Sequence, residues 1–217
     1  MKTLYKAIAV ASLATTGVAQ ALEGSIGAMN EYVFRGETLA TDGIYAASAG
    51  TNVAGLDVGI ALVDADGYFE RNLMAGYTMN IAGVDVDLGY TDYSYGENDD
   101  TETEVSIGMT ASGVTITYVD GEDNDVDAQG VETTADYTVL SFGYSVGGMD
   151  ITVGSKEVDG GAEYNYYEIS TGTEIAGLDA TVTLTNSFSE EGTDWDGNGA
   201  VTQDARIVVG VSKALSL

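Results

Sequence analysis

The sequence predicts an all-β protein, a transmembrane antiparallel up-and-down β-barrel of about twelve strands. Three observations carry this expectation: one short reverse turn used five times, period-two alternation between the turns, and tyrosines gathered at one end of nearly every strand. The turn recurs as Ala54-Gly55-Leu56-Asp57, Ala82-Gly83-Val84-Asp85, Ser112-Gly113-Val114-Thr115, Gly147-Gly148-Met149-Asp150 and Ala176-Gly177-Leu178-Asp179. Each reads as a hairpin tip. The second-position Gly supplies positive φ without steric cost, and an apolar then a polar residue restart the next strand's alternation. Successive second-position glycines lie 28, 30, 35 and 29 residues apart. That spacing fits two strands of about ten residues and one variable loop, so short turns mark one edge of the sheet and long connections the other.

In chain order, residues 1–21 read as a secretory signal peptide: Lys2 and Lys6, a small apolar stretch, then the small-residue site Ala19-Gln20-Ala21. Residues 22–217 are left as the barrel domain. Strands are expected at about 23–35, 44–53, 56–64, 69–80, 84–94, 103–111, 114–120, 136–146, 149–158, 164–175, 178–188 and 205–217. An even count puts both ends of the mature chain on the short-turn side. The long connections then fall at about 36–43, 65–68, 95–102, 121–135, 159–163 and 189–204.

One strand face is apolar, as in Val58-x-Ile60-x-Leu62, Val84-x-Val86-x-Leu88-x-Tyr90 and Ile207-x-Val209-x-Val211, and the other is small or charged. A soluble β-sandwich shows the same alternation and is the rival reading. The aromatics separate the two. Tyr32, Tyr45, Tyr68, Tyr90, Tyr93, Tyr95, Tyr118, Tyr137, Tyr164, Tyr166 and Tyr167 lie at or beside the long-loop ends of strands, with Phe34, Phe69 and Phe188, whereas Tyr77 and Tyr144 do not. A membrane interface favours such rings, because the ring is apolar and the hydroxyl seeks water.

Composition excludes several function classes. The chain carries a formal net charge of −28, and a cleaved leader would remove two of its seven basic residues, so nucleic acid is a poor partner. There is no Cys, which removes thiolate and disulfide chemistry, and no His, which removes the commonest general base and metal ligand. No enzymatic activity is therefore expected.

The stretch Asn30-Glu31-Tyr32-Val33-Phe34-Arg35-Gly36 resembles the S-x-Y-x-F-R-G signature near the mature N-terminus of TorF-type outer-membrane porins. The similarity otherwise lies in architecture: length, leader, hairpin repeat and the closing strand at 205–213. Asn30-Glu31 stands where Ser-Asp is usual, and the chain ends in Leu217 rather than an aromatic residue. The resemblance implies a porin-like barrel in the outer membrane and names no solute.

By strand parity the expected pore-lining residues are Glu31, Arg35, Asp57, Asp85, Asp87, Glu104, Asp150, Lys156, Glu174, Asp179 and Arg206. Arg35, Lys156 and Arg206 read either as charges that shape the pore field or as partners of buried carboxylates, the second reading being preferred. Acids outnumber bases on this face, so an open pore is expected to prefer cations. The aspartates at four of the five short turns form either a partial carboxylate ring or caps for their own turns. In the last long loop, Asp194, Asp196 and Asn198 with Gly199 match the start of a Ca²⁺-binding EF-hand loop, with Asp204 one position early for the closing carboxylate. Weak Ca²⁺ binding there competes with a plain acidic turn. No other cofactor is expected, and the acidic run at 120–127 reads as solvated loop. The leading expectation is passive diffusion of small solutes or ions, with outer-membrane lipid as surroundings and no oligomeric state specified. The alternatives are a structural or adhesive barrel with a filled lumen and a secreted soluble β-sandwich.

Overall fold

The computed structural model describes residues 22–41, 43–65, 68–96, 100–126, 132–159, 163–189 and 205–216. The leader expected at 1–21 and the acidic loop at 194–204 lie outside the described residues. Fourteen strands are described: β1 (Glu23–Met29), β2 (Tyr32–Phe34), β3 (Glu37–Ala40), β4 (Ile44–Val53), β5 (Leu56–Ala65), β6 (Tyr68–Ile81) and β7 (Val84–Tyr95), followed by β8 (Asp100–Ala111), β9 (Val114–Val126), β10 (Glu132–Val146), β11 (Met149–Val158), β12 (Glu163–Ile175), β13 (Leu178–Ser189) and β14 (Arg206–Ser216). Twelve of them close an antiparallel barrel in the order β1-β14-β13-β12-β11-β10-β9-β8-β7-β6-β5-β4, and β2 and β3 form a separate two-stranded sheet. Closure runs through β1, which pairs with β14 on one side and β4 on the other.

The five short turns are the expected hairpin tips, with one addition. Both central residues have positive φ, including the non-glycines Ala54, Ala82, Ser112 and Ala176 at 52–55°. Two consecutive left-handed residues make a type I′ turn, whose twist matches that of the flanking strands. In the first two turns an Asn closes the tip: Gly55 N donates to Asn52 Oδ1 (2.9 Å) and Gly83 N to Asn80 Oδ1 (3.2 Å).

Alternation in the registers sorts the side chains onto two faces. The outward face carries the exposed apolar residues, for example Leu73, Tyr77 and Ile81 on β6, Leu88 and Tyr90 on β7, and Ile207, Val209 and Val211 on β14. On β6 this apolar stretch runs from Leu73 to Ile81, close to the nine or so residues a tilted strand needs to cross a bilayer. Among the described residues no helix is long and apolar enough to cross a membrane.

Two expectations about strand limits are corrected. The single strand expected at 23–35 leaves the wall after Met29, and the connection expected at 36–43 contains β3. The loop expected at 121–135 is largely strand: Glu122 to Val126 pair with residues 132–136 of β10. Its residues are polar on both faces, as a hairpin standing in water on both sides would be, so the apolar alternation that signals a strand is missing there.

Candidate functional site: a hairpin held across the lumen

After Met29 the chain makes a last grip on the wall. Asn30 N donates to Val209 O (3.1 Å), Val209 N to Asn30 Oδ1 (2.6 Å) and Asn30 Nδ2 to Ile207 O (3.1 Å). It then folds inward as the β2–β3 hairpin and rejoins the wall at Ile44. The hairpin tip is Arg35-Gly36, at φ 52° and 79°, the same turn geometry as the five short turns. Its root is apolar: Tyr32, Ile44 and Val63 are buried together, with Met29, Leu39 and Ala40 against them.

Its polar contacts reach strands all around the barrel, which places it inside the lumen. The Tyr32 hydroxyl donates to Glu70 Oε1 on β6 (3.0 Å), and Asn72 Nδ2 donates to the same oxygen (2.6 Å). Arg35 reaches Glu104 on β8 with both ends of its fork, Nη1 to Oε1 at 2.5 Å and Nη2 to Oε2 at 3.1 Å. Toward β12 and β13, Gly36 fits so closely that a Cβ there would lie 2.8 Å from both Asn186 O and Tyr166 Cβ. Glycine is required at this position twice over, by φ and by space.

Around Glu104 a network forms. It also accepts from the Tyr93 hydroxyl (3.1 Å) and the Tyr137 hydroxyl (2.7 Å). The Tyr137 hydroxyl reaches Glu102 as well, and Glu102 accepts from Tyr95 (2.6 Å). Phe34 lies 6.4 Å from the Tyr93 ring, Arg35 stacks 4.4 Å above Phe34, and Lys156 Nζ sits 4.2 Å above Tyr137. Burial disfavours charge on Arg35, but the Glu104 carboxylate against it outweighs burial and holds the guanidinium firmly protonated. Two rings gain their places from cross-strand glycines: Tyr137 lies over Gly121 and Tyr166 over Gly154, where any Cβ would collide with the ring.

This arrangement corrects the reading of the tyrosines. Tyr32, Tyr93, Tyr95, Tyr137, Tyr164 and Tyr166 face inward, and only Tyr45, Tyr90, Tyr118 and Tyr167 of the expected girdle face outward, together with Phe69 and Phe188. The side chain of Tyr68 lies outside the described residues. The signal was present in the sequence: the parity that turns Tyr90 outward turns Tyr93 and Tyr95 inward.

The expected lining residues fall as follows. Asp57, Asp85, Asp87, Glu104, Asp150, Lys156, Glu174, Asp179 and Arg206 take the inward parity in their registers. Arg35 is also inside, but at a turn, and Glu31 lies outside any strand, with Oε2 3.8 Å from Arg206 Nη1. The parity argument that set both opposite Tyr32 therefore fails, because the chain has already left the wall. At the short-turn mouth, Asn52 donates to Asp57 (2.7 Å) and Asn80 to Asp85 (2.6 Å), so each Asp orients the Asn that closes its turn. Glu174 and Asp179 face each other across the fifth tip. Asp87 accepts from Thr78 (2.6 Å). Asp194, Asp196, Asn198 and Asp204 lie outside the described residues. Among the described residues no group of three or more acids is placed to hold a metal. Parity also puts Glu102, absent from the expected lining, at the heart of the network.

No protein-family model matches the chain, and no curated protein matches it in sequence. Among solved structures it is similar to a KdgM porin, with a TM-score of 0.54 at 9% identity over 89% of this chain and 98% of that one. It is also similar to a chain from work on the in-meso crystallization of membrane proteins, with a TM-score of 0.59 at 7% identity over 91% and 84%. Acinetobacter baumannii OccAB3 gives a TM-score of 0.45 at 10% identity over 88% of this chain, which spans 60% of that protein's length. At such identities the likeness is one of fold: the chain is a closed twelve-stranded antiparallel barrel of porin-like architecture.

Proposed function

We propose that residues 22–217 form an outer-membrane channel for passive diffusion of small solutes or ions, narrowed by the β2–β3 hairpin and preferring cations, and that residues 1–21 are the leader that exports it. The observation that carries this reading is a closed barrel with an apolar outer belt and a charged inner face, crossed by an ordered hairpin. A barrel of about eight strands is filled by its own side chains and one of sixteen leaves a wide channel, so at twelve the inserted hairpin decides the bore. The motif at 30–36, which resembles that of TorF-type porins, supplies the hairpin's first strand and its tip. The inward acids outnumber Arg35, Lys156 and Arg206, and two of these bases are paired with Glu104 and Glu31, which supports cation preference. The loop at 194–204 is proposed to bind Ca²⁺ weakly through Asp194, Asp196, Asn198 and Asp204; calorimetric titration of wild type against Asp196→Ala tests it, and identical heats would reduce it to an acidic turn.

Single-channel recording of refolded protein in a planar bilayer tests the main proposal. Small, discrete, cation-preferring conductance is expected. The buried packing of Tyr32, Glu70 and Tyr137 favours one rival, a structural barrel with a filled lumen, which would carry no current.

A further inference from the structure

The hairpin fills the lumen at its own level. Glu70, Tyr93, Glu104, Tyr137, Tyr166 and Ser187 face inward from β6, β7, β8, β10, β12 and β13, and none is more than 6% exposed. Tyr32 and Val33 of the hairpin are buried with them. Nearer the short turns the inner face opens: Asp85, Glu174 and Asp179 are exposed, and Ser145, Asp150 and Ser170 are half-buried. The inner wall is thus a cup that opens at the short-turn mouth and ends at the hairpin.

The two ends of the hairpin are held by different forces. Its root is fixed by the three Asn30 hydrogen bonds to β14 and by apolar packing of Tyr32 with Ile44 and Val63. Its tip is fixed by carboxylates from wall strands four places apart: Glu104 of β8 takes the Arg35 fork, and Glu168 of β12 is hydrogen-bonded to the Gly36 backbone N–H. Pulling the root loose would expose apolar surface to water with nothing gained in return. Lifting the tip exchanges an ion pair and a charged hydrogen bond for hydration of the same groups, and the desolvation of such groups offsets much of their attraction. Between root and tip the β2–β3 register shifts, at Tyr32/Val33, the kind of irregularity at which a ladder bends. The tip is therefore the end that moves.

We propose that the hairpin is a plug whose tip unlatches from Glu104 and Glu168 and swings about the register shift at Tyr32/Val33 while its root stays on the wall, and that current flows only while the tip is lifted. This rests on the channel reading, and the small discrete conductance expected above is that of the lifted state. Wild-type recordings should show a closed baseline broken by discrete openings.

The chain contains no Cys, so a bridge can be placed at the latch alone. In the double variant Arg35→Cys/Glu104→Cys the fork is gone, and sustained openings are expected. A bifunctional methanethiosulfonate, spanning the gap that the two lost side chains filled, should tie tip to wall and abolish the current, and a reductant should restore it. Arg35→Cys alone, given the same reagent, should stay conducting. Heat-dependent gel migration confirms that each barrel is folded, and mass spectrometry confirms the bridge. A bridged barrel that conducts as the unbridged one does, or a pair that the reagent does not bridge, overturns the plug and leaves the channel reading in place. So does a wild type whose steady current equals that of the unbridged variant. Loss of current in Arg35→Cys as well would put the effect on added bulk and overturn the latch. An unbridged double variant that is folded and never conducts defeats the channel reading itself, and this inference with it.

Discussion

Arg35 occupies a conformation that L-residues rarely adopt, and such strain persists only where surrounding contacts impose it. The tip shares this left-handed first position with Ala54, Ala82, Ser112 and Ala176, so the turn imposes it, and the side chain is then held by a paired fork on Glu104, whose carboxylate also collects Tyr93 and Tyr137. Removing one partner of a buried ion pair leaves an uncompensated charge, at a cost of about 3–5 kcal/mol. Arg35→Gln is therefore expected to release the hairpin while the barrel stays closed. Larger single-channel conductance, protease cleavage within 30–43 and unaltered heat-dependent migration are the readouts. Arg35→Lys should behave much like Arg35→Gln, because an ammonium cannot make the two parallel bonds. Conductance and cleavage at wild-type levels in both variants would mean that the pair does not hold the hairpin.

The turns offer a separate test at the scale of elements. Ala54, Ala82 and Ala176 sit at the first left-handed position of type I′ turns, where Asn is preferred and Ala is strained. Ala54→Asn and Ala176→Asn should each stabilise the barrel by about 1 kcal/mol, read from urea unfolding in lipid vesicles. Destabilisation would contradict the turn type. Glycines at the second position are not equivalent. Gly83 has open space around a built Cβ, so Gly83→Ala should cost only the backbone strain of about 1–2 kcal/mol. Gly36→Ala adds a collision with the Asn186 carbonyl, a backbone atom that cannot swing aside. It is expected to undock the hairpin and raise conductance as Arg35→Gln does, whereas Gly83→Ala leaves conductance alone.

For the whole molecule, an apolar belt with polar hairpins beyond it suits a barrel that crosses a bilayer, and in the proposed channel the inner charge balance sets what passes. Asp57, Asp85, Asp150 and Asp179 recur at equivalent positions after four turns and come together at one mouth. In two of those turns the Asp also accepts from a turn-closing Asn, so the structural and electrostatic roles coexist. Replacing all four with Asn keeps an acceptor oxygen for each turn and removes the charge. Cation preference, measured as reversal potential in a salt gradient, should fall, and fall further at low ionic strength where screening is weak. An unchanged reversal potential would refute the ring, and anion preference in the wild type would refute the charge assignment of the lumen.

The sequence alone determined the all-β class, the twelve wall strands and the inward parity of Asp57, Asp85, Asp87, Asp150 and Asp179, because hairpin turns and period-two alternation are local properties of neighbouring residues. It did not reveal that 30–43 leaves the wall. Tyr32-Val33-Phe34 alternates like any strand, and nothing within seven residues distinguishes a strand that continues in a sheet from one that folds into the space the sheet encloses. The partner of Arg35 lies 69 residues away, and the hairpin's fit depends on Glu70, Tyr166 and the Asn186 backbone, drawn from three separate strands. The tyrosines at the long-loop ends divide between lumen and belt for the same reason. Their position along the strand is written in the sequence, but the inward seats of Tyr137 and Tyr166 over Gly121 and Gly154, and the Glu104 carboxylate that accepts from Tyr93 and Tyr137, are brought together only by pairing and curvature of the wall.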